Sequence, residues 1–124
     1  MTRTFILLGS FFSFLAVALG AFGAHALKQK LTPDMLQVFE TGVRYQMYHS
    51  LALFVVAWMI HSMSINAAAA SGWWFTAGIV LFSGSLYALA LSGITWLGAI
   101  TPLGGLSLLI GWIMLAWSVW KSQL

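Results

Sequence analysis

Arg44, Tyr45, Tyr48 and His49 fall within six residues of one another, and His25 stands across a short polar stretch from them. An imidazole pair such as His25 and His49 is the ligand set of a haem or metal ion, or a carrier of protons. A guanidinium beside two phenols and an imidazole suits an anion or a polar head group. Glu40, four residues ahead of Arg44, is the natural ion-pair partner of that arginine. Ser83, Ser85 and Tyr87 supply further hydroxyls, either to the same cavity or to hydrogen bonds between helices. Each group also has a plainer use. A histidine can donate to a neighbouring helix, and an arginine can snorkel to lipid phosphate.

These residues stand out because so little else is charged. From Tyr45 through Trp120 there is no Asp, Glu, Lys or Arg. Asp34 and Glu40 are the only acidic side chains and lie six residues apart. No catalytic triad, phosphate loop or carboxylate pair can be assembled, so the sequence reads as that of a non-enzyme. No cysteine is present, which excludes disulfides, thiolate metal sites and thiol redox chemistry. No metal and no cofactor is expected. The net charge of +3 rests on few residues. It suits anionic lipid head groups, whereas nucleic acid would need a basic face that is missing.

Composition names the solvent. The chain is 61% hydrophobic and 6% charged, against about 45–50% and about 25% in soluble domains. Five basic and two acidic residues cannot cover the surface of a water-soluble domain of 124 residues. Lipid is the solvent that fits, and at this length the chain is a single transmembrane domain.

Four spans follow from the apolar runs, at about 5–24, 46–62, 72–91 and 102–120. Each is long enough to cross a hydrocarbon core of about 30 Å, or nearly so. Arg3 ahead of the first run and Ala24-His25-Ala26 behind it also fit a signal peptide with a cleavage site, but the run is long for that role. Thr32-Pro33-Asp34 predicts a helix start, with a capping hydroxyl, a proline at the first helical position and an acid at the positive end of the dipole. The helix it opens should reach about His61. Its first half, Asp34 to Tyr45, is amphipathic and is expected to project from the membrane or lie on it, with a bend at Gly42. Gln37, Thr41, Arg44, Tyr45, Tyr48 and His49 share one arc, and Leu36, Phe39, Val43, Met47 and Phe54 the opposite one. Asn66 to Ser71 reads as a small-residue turn, Gly93 as the end of the third span, and Thr101-Pro102 as a second start like Thr32-Pro33. Ala16, Gly20 and Ala24, then Gly84, then Gly104, Ser107 and Gly111 mark smooth faces for close helix packing, within the chain or between copies.

Trp58, Trp73, Trp74, Trp117 and Trp120 collect at the end that holds both termini, and Tyr45, Tyr48 and Trp96 near the other, as two interfacial belts would. Lys28, Lys30 and Arg44 outnumber Arg3 and Lys121, which predicts a cytoplasmic first loop.

Four stretches taken together resemble a known family: Gly20-Ala21-Phe22-Gly23-Ala24-His25-Ala26-Leu27, Thr41-Gly42-Val43-Arg44-Tyr45-Gln46-Met47-Tyr48-His49, Leu81-Phe82-Ser83-Gly84-Ser85-Leu86-Tyr87 and Ile100-Thr101-Pro102-Leu103-Gly104-Gly105. The chain is similar to small membrane proteins related to eukaryotic transmembrane protein 256, the domain of unknown function 423. The resemblance implies a multi-pass protein of the bacterial inner membrane and carries no activity with it. The family's marked positions correspond here to Gly23, His25, Gly42, Tyr45, Gln46, Tyr48, His49, Ser83, Gly84, Tyr87, Pro102 and Gly104.

The expected fold is an all-α bundle of four transmembrane helices, with an amphipathic extension before the second. The expected function is binding of a lipid, a quinone-like molecule or a partner protein at the first-loop end. The expected partners are membrane lipids, with self-association or a place in a larger membrane complex. Two other functions compete with it: an oligomeric transporter of a small solute or ion, and a haem-binding electron-transfer subunit.

Overall fold

The structure is a computed structural model that describes all 124 residues. It is entirely helical. Helix α1 spans Thr2–Phe22 and continues through a π turn, Gly23–Leu27. Helix α2 is Pro33–Ser62, and α3 is Ala68–Gly78. A second π turn, Ile79–Ser83, joins α3 to α4, Gly84–Ser92. A 3-10 turn, Thr95–Ala99, then leads into α5, Thr101–Lys121.

The stretches Thr2–Leu27, Ala68–Ser92 and Thr95–Lys121 are long and apolar enough to cross a membrane. Of the four expected spans, three thus meet that measure. Helix α2 is the longest element, 30 residues and so about 45 Å, but Gln46, His49, Ser50 and His61 interrupt its apolar run.

Local signals decide where several of these elements begin and end. Thr32 Oγ1 accepts from Met35 N at 3.2 Å and Pro33 opens α2. Gly93 takes φ 71°, a left-handed conformation that favours glycine, and its N–H donates to Leu89 O at 2.8 Å. The Asn66–Ser71 stretch is shorter as a turn than expected. Helix α3 starts at Ala68, because a run of alanines is the best of helix formers. Thr101 does not cap α5. The cap position is Ile100, and the Thr101 hydroxyl instead pairs with Ser85 Oγ at 2.7 Å.

Helix α1 packs antiparallel on α2, α2 on the α3–α4 rod, and that rod on α5. The main core is formed by Phe5, Leu53, Val56, Phe75, Ile79 and Leu108 with their neighbours. A second cluster of Leu27, Phe39 and Ala90 holds the first-loop end. That cluster packs the first half of α2 against its neighbours. Phe39 is fully buried, and the helix runs without a break through Gly42, its first half packed on the π turn of α1 and on α4. Outward positions are apolar, with Leu7, Phe14, Leu109 and Ile113 all more than 60% exposed. Eight polar side chains are buried inside. Such an arrangement suits a bundle whose solvent is hydrocarbon.

Small residues set the closest approaches. A Cβ on Gly104 would lie 2.2 Å from Phe82 N, and one on Gly111 would lie 2.6 Å from Phe75. Ser107 is buried between them and donates to Trp74 O at 2.8 Å. This face therefore packs α5 on the α3–α4 rod within the chain. Ala16 is buried, and Gly20 faces Val43 of α2. The other two small residues do not pack. Ala24 is exposed on the π turn, where the helix face rotates, and a Cβ on Gly84 would meet nothing within 4 Å.

The two glycines predict opposite outcomes. Gly104→Leu should destabilise the protein by about 1–3 kcal/mol, since a backbone atom cannot give way as a side chain can. Gly84→Ala should be neutral or stabilising by up to about 1 kcal/mol, through helix propensity alone. Thermal unfolding of both variants in detergent checks the pair.

Candidate functional site

The first-loop end of the bundle combines the C-terminal ends of α1 and α4 with the N-terminal ends of α2 and α5. Between α2 and α5, floored by Phe82 of the π turn, runs an open groove of about 870 Å³. Tyr45, Tyr48 and His49 line one wall, and Pro102, Gly105, Leu106, Leu108, Leu109 and Trp112 the other. Pro102 and Trp112 are ten residues apart on α5, so the groove descends about 15 Å. That depth is about half of a hydrocarbon core of about 30 Å, the thickness of one leaflet. The lining residues carry no formal charge.

The lower end of the groove is a ring cluster. Trp112 packs edge-on against Phe75, centroids 4.9 Å apart, and against His49 at 5.8 Å. Its Nε1–H donates to His49 Nε2 at 3.0 Å. The other imidazole nitrogen, Nδ1, lies 2.6 Å from Tyr45 O. An indole N–H can only donate and a carbonyl can only accept. His49 is therefore the neutral tautomer with hydrogen on Nδ1, and both ring nitrogens are engaged. Tyr45 closes the upper end, stacked over His49 and 4.9 Å from the Phe82 ring.

Behind the groove, Gln46 ties three helices together. Its Nε2 donates to Phe12 O of α1 at 2.8 Å, and its Oε1 accepts from Tyr87 Oη of α4 at 2.6 Å. One turn away Ser83 Oγ donates to Gly42 O at 2.7 Å. Gly42 is the point of closest approach: a Cβ there would sit 2.8 Å from the Tyr87 ring. Ser83 and Tyr87 thus join α2 to the α3–α4 rod and do not face the groove. Ser85 is also taken up in packing, bonded to Phe82 O at 2.9 Å and to Thr101.

The sequence-derived candidates separate into groups. Tyr45, Tyr48 and His49 come together in the groove. His25 does not join them. It is exposed on the π turn of α1, where Gly23 meets Phe39 of α2. The ten residues from Phe39 to His49 rise about 15 Å, so the two histidines cannot ligate one ion or haem. His49 keeps its place beside Tyr45 and Tyr48 on the groove wall but is buried, whereas Arg44 of the same expected arc is exposed. Arg44 and Glu40 are both exposed, and no ion pair joins them. The arginine bonds Thr41 Oγ1 instead, at a long 3.3 Å. Gln46 and Trp112 were missed as site residues. Gln46 had a signal, because it repeats the helical face of Phe39, Gly42 and His49. Trp112 had none, because a tryptophan in an apolar span reads as lining.

Comparisons with known proteins fit this architecture. The family described as a protein of unknown function, DUF423, matches residues 19–105. The chain belongs to this family. It is similar to the UPF0382 membrane protein YwdK of Bacillus subtilis, with 54% identity over 114 residues, 91% of this chain and 93% of the relative. It is likewise similar to a UPF0382 membrane protein of Staphylococcus haemolyticus, with 48% identity over 119 residues, 96% of this chain and 97% of the relative. No solved structure matches. The matched region ends within the first turn of α5, before Trp112, but the aligned relatives cover the groove on both walls.

Two measurements check the hydrogen-bond assignments. A double-mutant cycle of Gln46→Leu and Tyr87→Phe should give a coupling of about 1 kcal/mol, the scale of interhelical bonds inside membranes. Nitrogen NMR of labelled protein should show His49 with a protonated Nδ1 and a bare Nε2. A proton on Nε2 would contradict the Trp112 contact.

Proposed function

We propose that this family member is a non-enzymatic, four-span protein of the bacterial inner membrane that binds an apolar membrane-dissolved molecule, a lipid or quinone-like compound, in the groove between α2 and α5. The observation that carries the reading is the groove itself. Its volume lies within the roughly 300–1,000 Å³ usual for small-molecule sites, and such sites are mostly apolar with a few placed polar groups. Ten residues line it, seven of them hydrophobic with the two tyrosines counted among these, and the polar groups it offers are the hydroxyls of Tyr45 and Tyr48 and the His49 ring. Helix α2 counts as the fourth span because the helices it packs between, α1 and the α3–α4 rod, are both long enough to cross. Its interrupting polar groups Gln46, His49 and Ser50 are bonded inside the bundle.

The haem reading loses its support with the separation of His25 from His49, and no observation favours transport. Association with further copies or with a larger complex remains part of the proposal only through the lipid-like outer faces of α1 and α5, since the small-residue face of α5 is taken up inside the chain.

Native mass spectrometry of protein extracted gently from its own membrane tests the reading. The expected result is a co-purifying apolar molecule on the wild type, with occupancy falling about tenfold in Leu109→Trp. Leu109 lines the groove and is 62% exposed, so the larger ring fills space without disturbing the core. Equal occupancy in both proteins, or a bare wild type, overturns the assignment.

A further inference from the structure

Arg44 is the last formal charge before Lys121, and the fold leaves it without a counter-ion. It sits one turn toward the first loop from Tyr48, four residues away, and residues at that spacing are neighbours on a helix surface. Helical side chains lean toward the helix N-terminus, so Arg44, Tyr45 and Tyr48 all reach toward the loop end, the mouth of the groove. Tyr45 and Tyr48 are exposed, their rings 5.8 Å apart. The only tyrosine hydroxyl that bonds protein is that of Tyr87. The loop end therefore gathers a guanidinium that has one long bond to Thr41 and no counter-ion, and two tyrosine hydroxyls without a protein partner, beside a groove with uncharged walls.

An arginine at a membrane interface is costly to leave without a partner, and a guanidinium fork matches the oxygens of a phosphate. Donors at the mouth and apolar walls one leaflet deep are complementary to a molecule with an anionic head and a long chain. We propose that the mouth is the head-group site of an anionic phospholipid. The Arg44 guanidinium and the Tyr48 hydroxyl take phosphate oxygens, and an acyl chain lies along Leu106 and Leu109 down to the Trp112 ring. A quinone fits the walls equally well, and its carbonyls accept hydrogen bonds, but it brings no negative charge to the arginine. The excess of Lys28, Lys30 and Arg44 at this end agrees, since it places the mouth in the cytoplasmic leaflet, where anionic lipids lie. This assignment rests on the groove being a ligand site.

The test is native mass spectrometry of delipidated protein titrated with phosphatidylglycerol or phosphatidylcholine. The wild type should bind phosphatidylglycerol about tenfold more tightly. Arg44→Gln should abolish the preference, weakening phosphatidylglycerol more than phosphatidylcholine, whose choline cation already offsets its phosphate, and Arg44→Lys should retain part of it. Arg44 is exposed, and an unchanged melting temperature confirms that the Arg44→Gln variant is folded. Leu109→Trp should weaken both lipids. Equal binding of the two lipids by the wild type, or a preference that survives Arg44→Gln, overturns the head-group assignment, and weakening by Leu109→Trp would then leave the groove reading intact. Loss of the preference in Arg44→Gln with no effect of Leu109→Trp takes the chain out of the groove and removes the reading on which this proposal stands.

Discussion

Everything in this bundle depends on one constraint: hydrocarbon offers no hydrogen bonds. A polar group inside it must find its partner within the protein. The buried polar side chains obey this with Ser13 as the exception: Ser50, Ser71 and Ser118 bond carbonyls of their own helices, and the rest bridge helices. Gln46 reaches α1, Tyr87 reaches Gln46, Ser83 reaches α2, Ser107 reaches α3, Thr101 meets Ser85, and Trp112 meets His49. Each helix contact thus carries a directional bond that a slip in register would break. In water, apolar burial would supply the adhesion. Here lipid tails are as apolar as leucine, and packing with such bonds must supply it.

Close packing makes those bonds possible. Gly104 lets α5 approach the backbone of the Ile79–Ser83 turn, and Gly42 lets α2 approach Tyr87. The π turn itself breaks the regular period of the rod. It directs Phe82 to the groove and Ser83 toward Gly42, two directions that suit the floor of a site and a seam between helices. Single π turns inside α-helices are often found at functional sites. The groove exists because α2 and α5 both lean on this rod and leave a space between themselves.

Much of the fold was legible because its signals are local. Thr32 and Pro33 start a helix by chemistry confined to one turn, and Gly93 ends one through its own backbone freedom. The apolar runs name the solvent without any knowledge of neighbours. The site was less legible. Tyr45, Tyr48 and His49 could be singled out by type, but His25 looked equally eligible. Its exclusion follows from the pairing of α1 with α2, which places Gly23 against Phe39. Gln46, which bonds both α1 and α4, was marked in the sequence only by the family resemblance, because its partners lie on other helices.

By itself the sequence determined the class of object: an all-helical membrane chain with its charge gathered at one end, its helix boundaries set by residues that act on their own backbone, and its family. Only the tertiary structure decided which faces meet. A helix presents all its side chains at once, and although Gln46 shares a face with Phe39 and Gly42, only the closing of α1 and the α3–α4 rod on that face makes it the inward one. That choice places Arg44 outside without a counter-ion, turns His49 onto Trp112, and opens between them a groove whose walls come from residues some sixty positions apart.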